Sequence, residues 1–181
     1  MQKQTISNTK TSLSNGIKHI TLLSMLFSEA IVLSIVESFI PMPALPGVKL
    51  GLSNIVVMFT LLSMSKFDAL LLVILKGLFA FITRGFAASV MSISGGLCSI
   101  LVMILLLLLF KNKISLLMLS VSGALFHNIG QVFAASWLSG TLLTTYLPLL
   151  LLAGVAAGFI TSVVLKILLP VLKKSKLKFT L

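Results

Sequence analysis

The chain of 181 residues is 58% hydrophobic and only 9% charged, with a mean hydropathy of +1.19. A soluble domain of that size needs far more polar surface to cover itself, so the composition excludes one. The formal net charge of +11 comes with no patch or recognition fold for nucleic acid. It sits in short segments between apolar runs, where it sets topology and meets lipid headgroups.

Residues 1–17, MQKQTISNTKTSLSNGI, are polar and read as a flexible cytoplasmic tail. The apolar run after them carries Glu29 and Glu37 and lacks a small-residue cleavage site, which argues against a secretory signal. Residues 85–110, 114–138 and 139–165 hold no charged side chain. About 20 apolar residues cross roughly 30 Å of hydrocarbon. Six helices are predicted, over 18–39, 50–65, 67–84, 90–110, 114–137 and 146–169. The expected fold is therefore an all-α integral membrane protein. A six-transmembrane-helix bundle occupies 18–169, and a basic cytoplasmic tail occupies 170–181. The second helix, Leu50 to Met64, offers only about 22 Å. A short span flanked by Gly and Pro marks a binding site in transporters, or else a tilted neighbour or a locally thin bilayer.

With the N-terminus inside, ten lysines from Lys3 to Lys178 fall on cytoplasmic segments, whereas Lys49 and Arg84 fall on outer ones. That bias predicts a multi-pass protein of the cell membrane with both termini cytoplasmic. Cys98 is the only cysteine, so neither an internal disulfide nor a thiolate metal cage is expected. His19 and His127 have no carboxylate at ligand spacing, and no metal or other cofactor is expected.

Glu29, Glu37 and Lys76 fall inside predicted spans and Arg84 near the end of one, where an ionised group costs several kcal/mol unless paired or wet. Both pairs are separated by eight residues, about 12 Å of helix. Matching depths predicts Glu29 paired with Lys76 at mid-membrane, as an internal brace, and Glu37 paired with Arg84 near the outer face. Asp68 reads as a helix N-terminal charge complementing the dipole.

The stretch "ESFIPMPALPGVKLGLSN", residues 37–54, interrupts this pattern. Pro41, Pro43 and Pro46 stop a helix, and irregular backbone at membrane depth must be buried in protein or line a wet cavity. A Pro/Gly-rich irregular connection between helices one and two is expected. The second helix then opens near Gly51, Leu52 and Ser53 with free N–H groups and a positive dipole end. With Lys49 beside it, this makes a seat for a carboxylate or phosphate; the alternative is a rigid turn whose Lys49 reaches headgroups or Glu37. In "FHNIGQ", His127 and Gln131 are four apart on one face, with Asn128 nearby. They must face the bundle interior, either as interhelical glue or toward a ligand. Glu37, Lys49, Asn54, Arg84, His127, Asn128 and Gln131 all map to the outer half and form the candidate substrate site. The small residues of "ISGG" and "LAGVAAG" read as close helix packing, and Trp137 and Tyr146 as interfacial anchors.

"ESFIPMPALPGVKLGLSNIV", "KGLFAFITRG" and "SGALFHNIGQ" resemble a small membrane family known as Gx transporters, also labelled heptaprenyl diphosphate synthase component I. The resemblance spans roughly residues 20–165. The family is similar in size and layout to substrate-binding S-components of energy-coupling-factor transporters. That implies substrate capture from outside, then rocking driven by a transmembrane partner and ATPases. Members are linked with quinone, flavin or isoprenoid metabolism. S-components commonly carry an Ala-x-x-x-Ala docking pattern in the first helix; here Ser24/Ser28 and Ala30/Ser34/Ser38 stand instead. Prenyl diphosphate synthases need aspartate clusters to hold Mg²⁺, and this chain has one aspartate.

The expectation is a non-enzymatic transporter component taking a small anionic or amphipathic substrate from the outer side. Its partners would be membrane lipids, the substrate and an energising module. The alternatives are an accessory membrane subunit of polyprenyl diphosphate or quinone biosynthesis or of electron transfer, and a helix scaffold with no ligand.

Overall fold

The computed structural model describes residues 2–39, 51–141 and 143–173. Among them the chain is all-helical, with six α-helices: α1 Gln2–Ser38, α2 Asn54–Ser63, α3 Lys66–Arg84, α4 Phe86–Phe110, α5 Leu116–Ser139 and α6 Leu147–Lys173. Short 3₁₀ turns at Lys111–Lys113 and Leu143–Tyr146 join α4 to α5 and lead into α6. Pro41, Pro43, Pro46 and Lys49, with the irregular connection expected of them, lie outside the described residues, and so does most of the basic tail.

Local chemistry sets the helix ends. α3 opens on a capping box, in which Ser65 Oγ accepts the Asp68 N–H and the Asp68 carboxylate accepts the Ser65 N–H. α5 opens with Ser115 Oγ accepting the Met118 N–H. A single residue, Gly85, both ends α3 and starts α4, at φ +86, a conformation that favours glycine. α1 continues through residues 2–17, the segment whose composition suggests a flexible tail. That segment contains no proline, and its Ser, Thr and Asn residues only weaken a helix.

Four helical segments are long and apolar enough to cross a membrane: Gly16–Ser38, Phe86–Phe110, Leu116–Ser139 and Leu147–Ile167. The molecule is a multi-pass membrane protein. Two of the six expected spans do not meet that description. α2 has ten residues, about 15 Å of helix against roughly 30 Å of hydrocarbon. α3 is long enough at 19 residues, but Lys66, Asp68, Lys76 and Arg84 interrupt its apolar run.

α2 is the hub. All ten of its residues are buried, and it touches every other helix. Around it α3, α4, α5 and α6 pack in chain order, while among the described helices α1 touches only α2 and α3. Lipid is as apolar as leucine, so close approach and interhelical hydrogen bonds must hold such a bundle. Both are present. A Cβ on Gly130 would lie 2.9 Å from Gly95 Cα, and one on Gly158 would lie 2.6 Å from Val121 Cα. Ser89, Ser94 and Ser120 donate to the carbonyls of Gly77, Gly130 and Gly158 at 2.7–2.9 Å. Each such bond contributes about 0.6–2 kcal/mol.

The two ends of the bundle differ. His19 Nε2 lies 3.1 Å from Asp68 Oδ2, tying the start of the apolar part of α1 to the start of α3. Lys66, Lys111 and Lys113 gather around one cavity at this lysine-bearing end. Asp68 thus keeps the capping role its position suggests and acquires a partner in His19. The polar cluster lies at the opposite end.

Candidate functional site

Leu26, Ala30, Ser34 and Glu37 form the buried row of α1, at spacings of four, four and three. That row delivers Glu37, 3% exposed, to the last turn of α1. A carboxylate there meets the negative end of its own helix dipole. The compensation comes from the start of α2: Glu37 Oε1 accepts the backbone N–H of Gly51, and that of Leu52 at 3.3 Å. The anion seat expected before α2 therefore exists, and its occupant is a side chain of the same chain.

Gly51 adopts φ +88, and a Cβ there would lie 3.1 Å from His127 Cδ2 and 3.4 Å from Asn54 Nδ2. Backbone and imidazole are thus in contact only because the residue is glycine. Asn54 follows, 6% exposed, its Oδ1 accepting from Lys76 Nζ at 3.5 Å. Its Nδ2 has no hydrogen-bond acceptor among the described residues. Lys76 is itself buried, on the interior stripe of α3 with Leu72, Val73 and Ala80.

From α5, His127 and Gln131 enter as the i, i+4 pair, both 3% exposed, with Gln131 Nε2 2.6 Å from His127 Nε2. With the amide donating, His127 Nε2 is the acceptor and the ring proton sits on Nδ1. Nδ1 faces the backbone of Gly95 without meeting hydrogen-bond geometry.

Glu37, Lys76, Arg84, His127 and Gln131 line one small cavity, together with Ser34, Ser53 and Ser92. Its volume is about 10 Å³, which accommodates roughly one water molecule. Arg84 stands exposed at the rim and closes no ion pair with Glu37 among the described residues. The arrangement offers one carboxylate, one buried ammonium, a guanidinium at the edge and several neutral hydrogen-bonding groups.

Two expected assignments change. Glu29 is exposed and makes no ion pair with Lys76. It precedes the buried Ala30 by one residue, hence about 100° around the helix, so depth alone does not bring it to α3. Asn128 is fully buried but turns to α6, where its Nδ2 donates to Leu150 O at 2.6 Å. It braces α5 against α6 rather than lining the cavity. Lys49 lies outside the described residues.

Ser34 and Ser92 were not anticipated as cavity residues, and Ser53 only as part of the opening of α2. A usable signal existed for Ser34, three residues before Glu37 on the same face, and for Ser92, three after Ser89 in an apolar run.

The family model described as Heptaprenyl diphosphate synthase component I matches residues 26–168. The chain belongs to this family. No curated protein and no solved structure matches it. The matched stretch begins at Leu26, the first residue of the buried row of α1, and ends within α6. It takes in every residue of the cavity and leaves out the His19 contact.

Proposed function

We propose that this membrane protein captures a small anionic or amphipathic molecule at the Glu37 end of the bundle. It would serve as the substrate-binding part of a transporter driven by partner subunits. One observation carries the reading: four helices and the start of α2 direct charged and hydrogen-bonding side chains into a single buried spot. Such groups are costly in hydrocarbon and mark substrate pathways when they gather inside a bundle.

The cavity as it stands is closed around Glu37. Ligand entry on this reading displaces the Glu37 carboxylate from the Gly51 and Leu52 N–H groups. The incoming anion takes its place, beside Lys76 and within reach of Arg84. α1 is the element suited to move. Only 17% of its apolar window is buried, against 28–50% in α4, α5 and α6, and it rests on α2 and α3 alone. The positive-inside bias puts this end on the outer side.

Native mass spectrometry of the gently purified protein tests the reading. A co-purifying small molecule retained by the wild type and weakened in Arg84→Ala, Lys49→Ala and Lys76→Met supports it. Spectra free of any such molecule, or the same in all four proteins, contradict it.

The family's name favours a second reading, a non-catalytic accessory subunit of polyprenyl diphosphate synthesis. Catalysis by this chain alone is not proposed, because its one aspartate cannot form a Mg²⁺–diphosphate cluster. Asp68 is moreover engaged by Ser65 and His19. Stimulation of chain elongation by a separate catalytic subunit, with no small molecule retained, would favour this second reading over the first.

A further inference from the structure

A second and larger cavity lies at the lysine-bearing end, away from the Glu37 cluster. It measures about 850 Å³, within the range of small-molecule sites. Leu61 and Met64 of the α2 end and Leu107, Leu108 and Phe110 of α4 form its apolar wall. Lys66, Lys111 and Lys113 fringe it, all three exposed. Among the described residues no carboxylate lines it. Asp68, the nearest acid in the chain, is 5% exposed and is held by Ser65 Oγ at 2.8 Å and His19 Nε2 at 3.1 Å.

Helix electrostatics account for only part of this charge. Lys111 and Lys113 follow α4 and complement the negative end of its dipole. Lys66 is the first residue of α3, at the positive end, where a cation is disfavoured. Lys111 has φ +48, the one positive φ at a non-glycine among the described residues. Glycine would hold that backbone without strain, so a lysine there keeps a charge at the cavity edge against a conformational cost.

We infer that this groove seats an acidic phospholipid of the surrounding bilayer. The phosphate lies among Lys66, Lys111 and Lys113, and an acyl chain runs along Leu107, Leu108 and Phe110. Basic pockets between membrane helices recognise anionic headgroups in this way, and the apolar wall selects a lipid over a free anion. The inference is independent of the site at the Glu37 end.

The test titrates the purified full-length protein with phosphatidylglycerol and phosphatidylcholine at equal concentration and counts retained lipid by native mass spectrometry. Phosphatidylglycerol is expected to exceed phosphatidylcholine by about tenfold. The K66Q/K111Q/K113Q variant loses that preference, whereas K166Q, altered at an exposed α6 lysine outside the groove, keeps it. K111G separates binding from folding: its thermal unfolding is no lower than wild type, because φ strain is relieved, while its lipid preference falls. Equal retention of the two lipids, or an unchanged preference in the triple variant, overturns the inference. Inorganic phosphate displacing the lipid at equal concentration overturns it in favour of a free-anion site. Farnesyl diphosphate doing so overturns it in favour of an isoprenyl diphosphate site.

Discussion

Glu37 and Gly51, fourteen residues apart, meet where the last turn of α1 closes on the start of α2, the carboxylate of one accepting the backbone N–H of the other. With the second bond from Leu52, this contact adds to the packing on α2 and α3 that holds α1 among the described residues. On the proposed reading it also fills the position of an anionic ligand.

Substitution of Glu37 should therefore be graded. Glu37→Gln retains an acceptor oxygen and is expected to cost about 1 kcal/mol, and Glu37→Ala about 1.5–3 kcal/mol. At about 2–4 °C per kcal/mol for a chain of this size, thermal unfolding in detergent resolves the order. Equal stability of the alanine variant and wild type would remove the contact from the account.

Gly51 and Gly85 share nearly the same φ, +88 and +86, but only Gly51 has neighbours where a Cβ would go. Alanine at either site carries the strain of that backbone, about 1–3 kcal/mol. Gly51→Ala must in addition push against His127. Thermal unfolding should show Gly51→Ala as the more destabilised of the two, and the reverse order would mean that His127 is not where the site requires it.

Asn128 and Gln131 should separate stability from binding. Asn128→Leu removes the bond to Leu150 O across the α5–α6 interface and is expected to cost about 1–3 kcal/mol with little change in ligand retention. Gln131→Leu, inside the cavity, should reduce ligand retention. Unfolding curves and native mass spectra on the same preparations check both.

Glu29 provides the contrasting case. It is exposed on α1, and an exposed carboxylate on a membrane helix contributes no packing. Glu29→Leu is expected to unfold at or above the wild-type temperature, whereas Glu37→Leu unfolds below it. A large loss in Glu29→Leu would reinstate the pairing with Lys76.

These cases show what the sequence could and could not specify. Periodicity and uncharged length located α4, α5 and α6 to within a few residues, because apolar run length is what a bilayer selects. The His127–Gln131 pair followed from i, i+4 spacing. Azimuth was not readable. A membrane helix that is apolar all round gives no stripe to say which face meets protein and which meets lipid. So Glu29 was placed on the wrong face, and Asn128 was grouped with His127 although it points to α6. The brevity of α2 was visible in the prolines and glycines before it. Its role as hub was not, because that depends on five other helices closing around it.

The central claim is that the Glu37 end encloses a polar pocket that opens to the outer side, and the single cysteine allows a direct measurement. In a Cys98→Ser background, Ser53→Cys places one thiol in the cavity wall. A membrane-impermeant thiol reagent added to intact cells is predicted to label it, and to label a cysteine at Ser92 more slowly. Labelling only from the cytoplasmic side, or none even after prolonged exposure, would contradict the account.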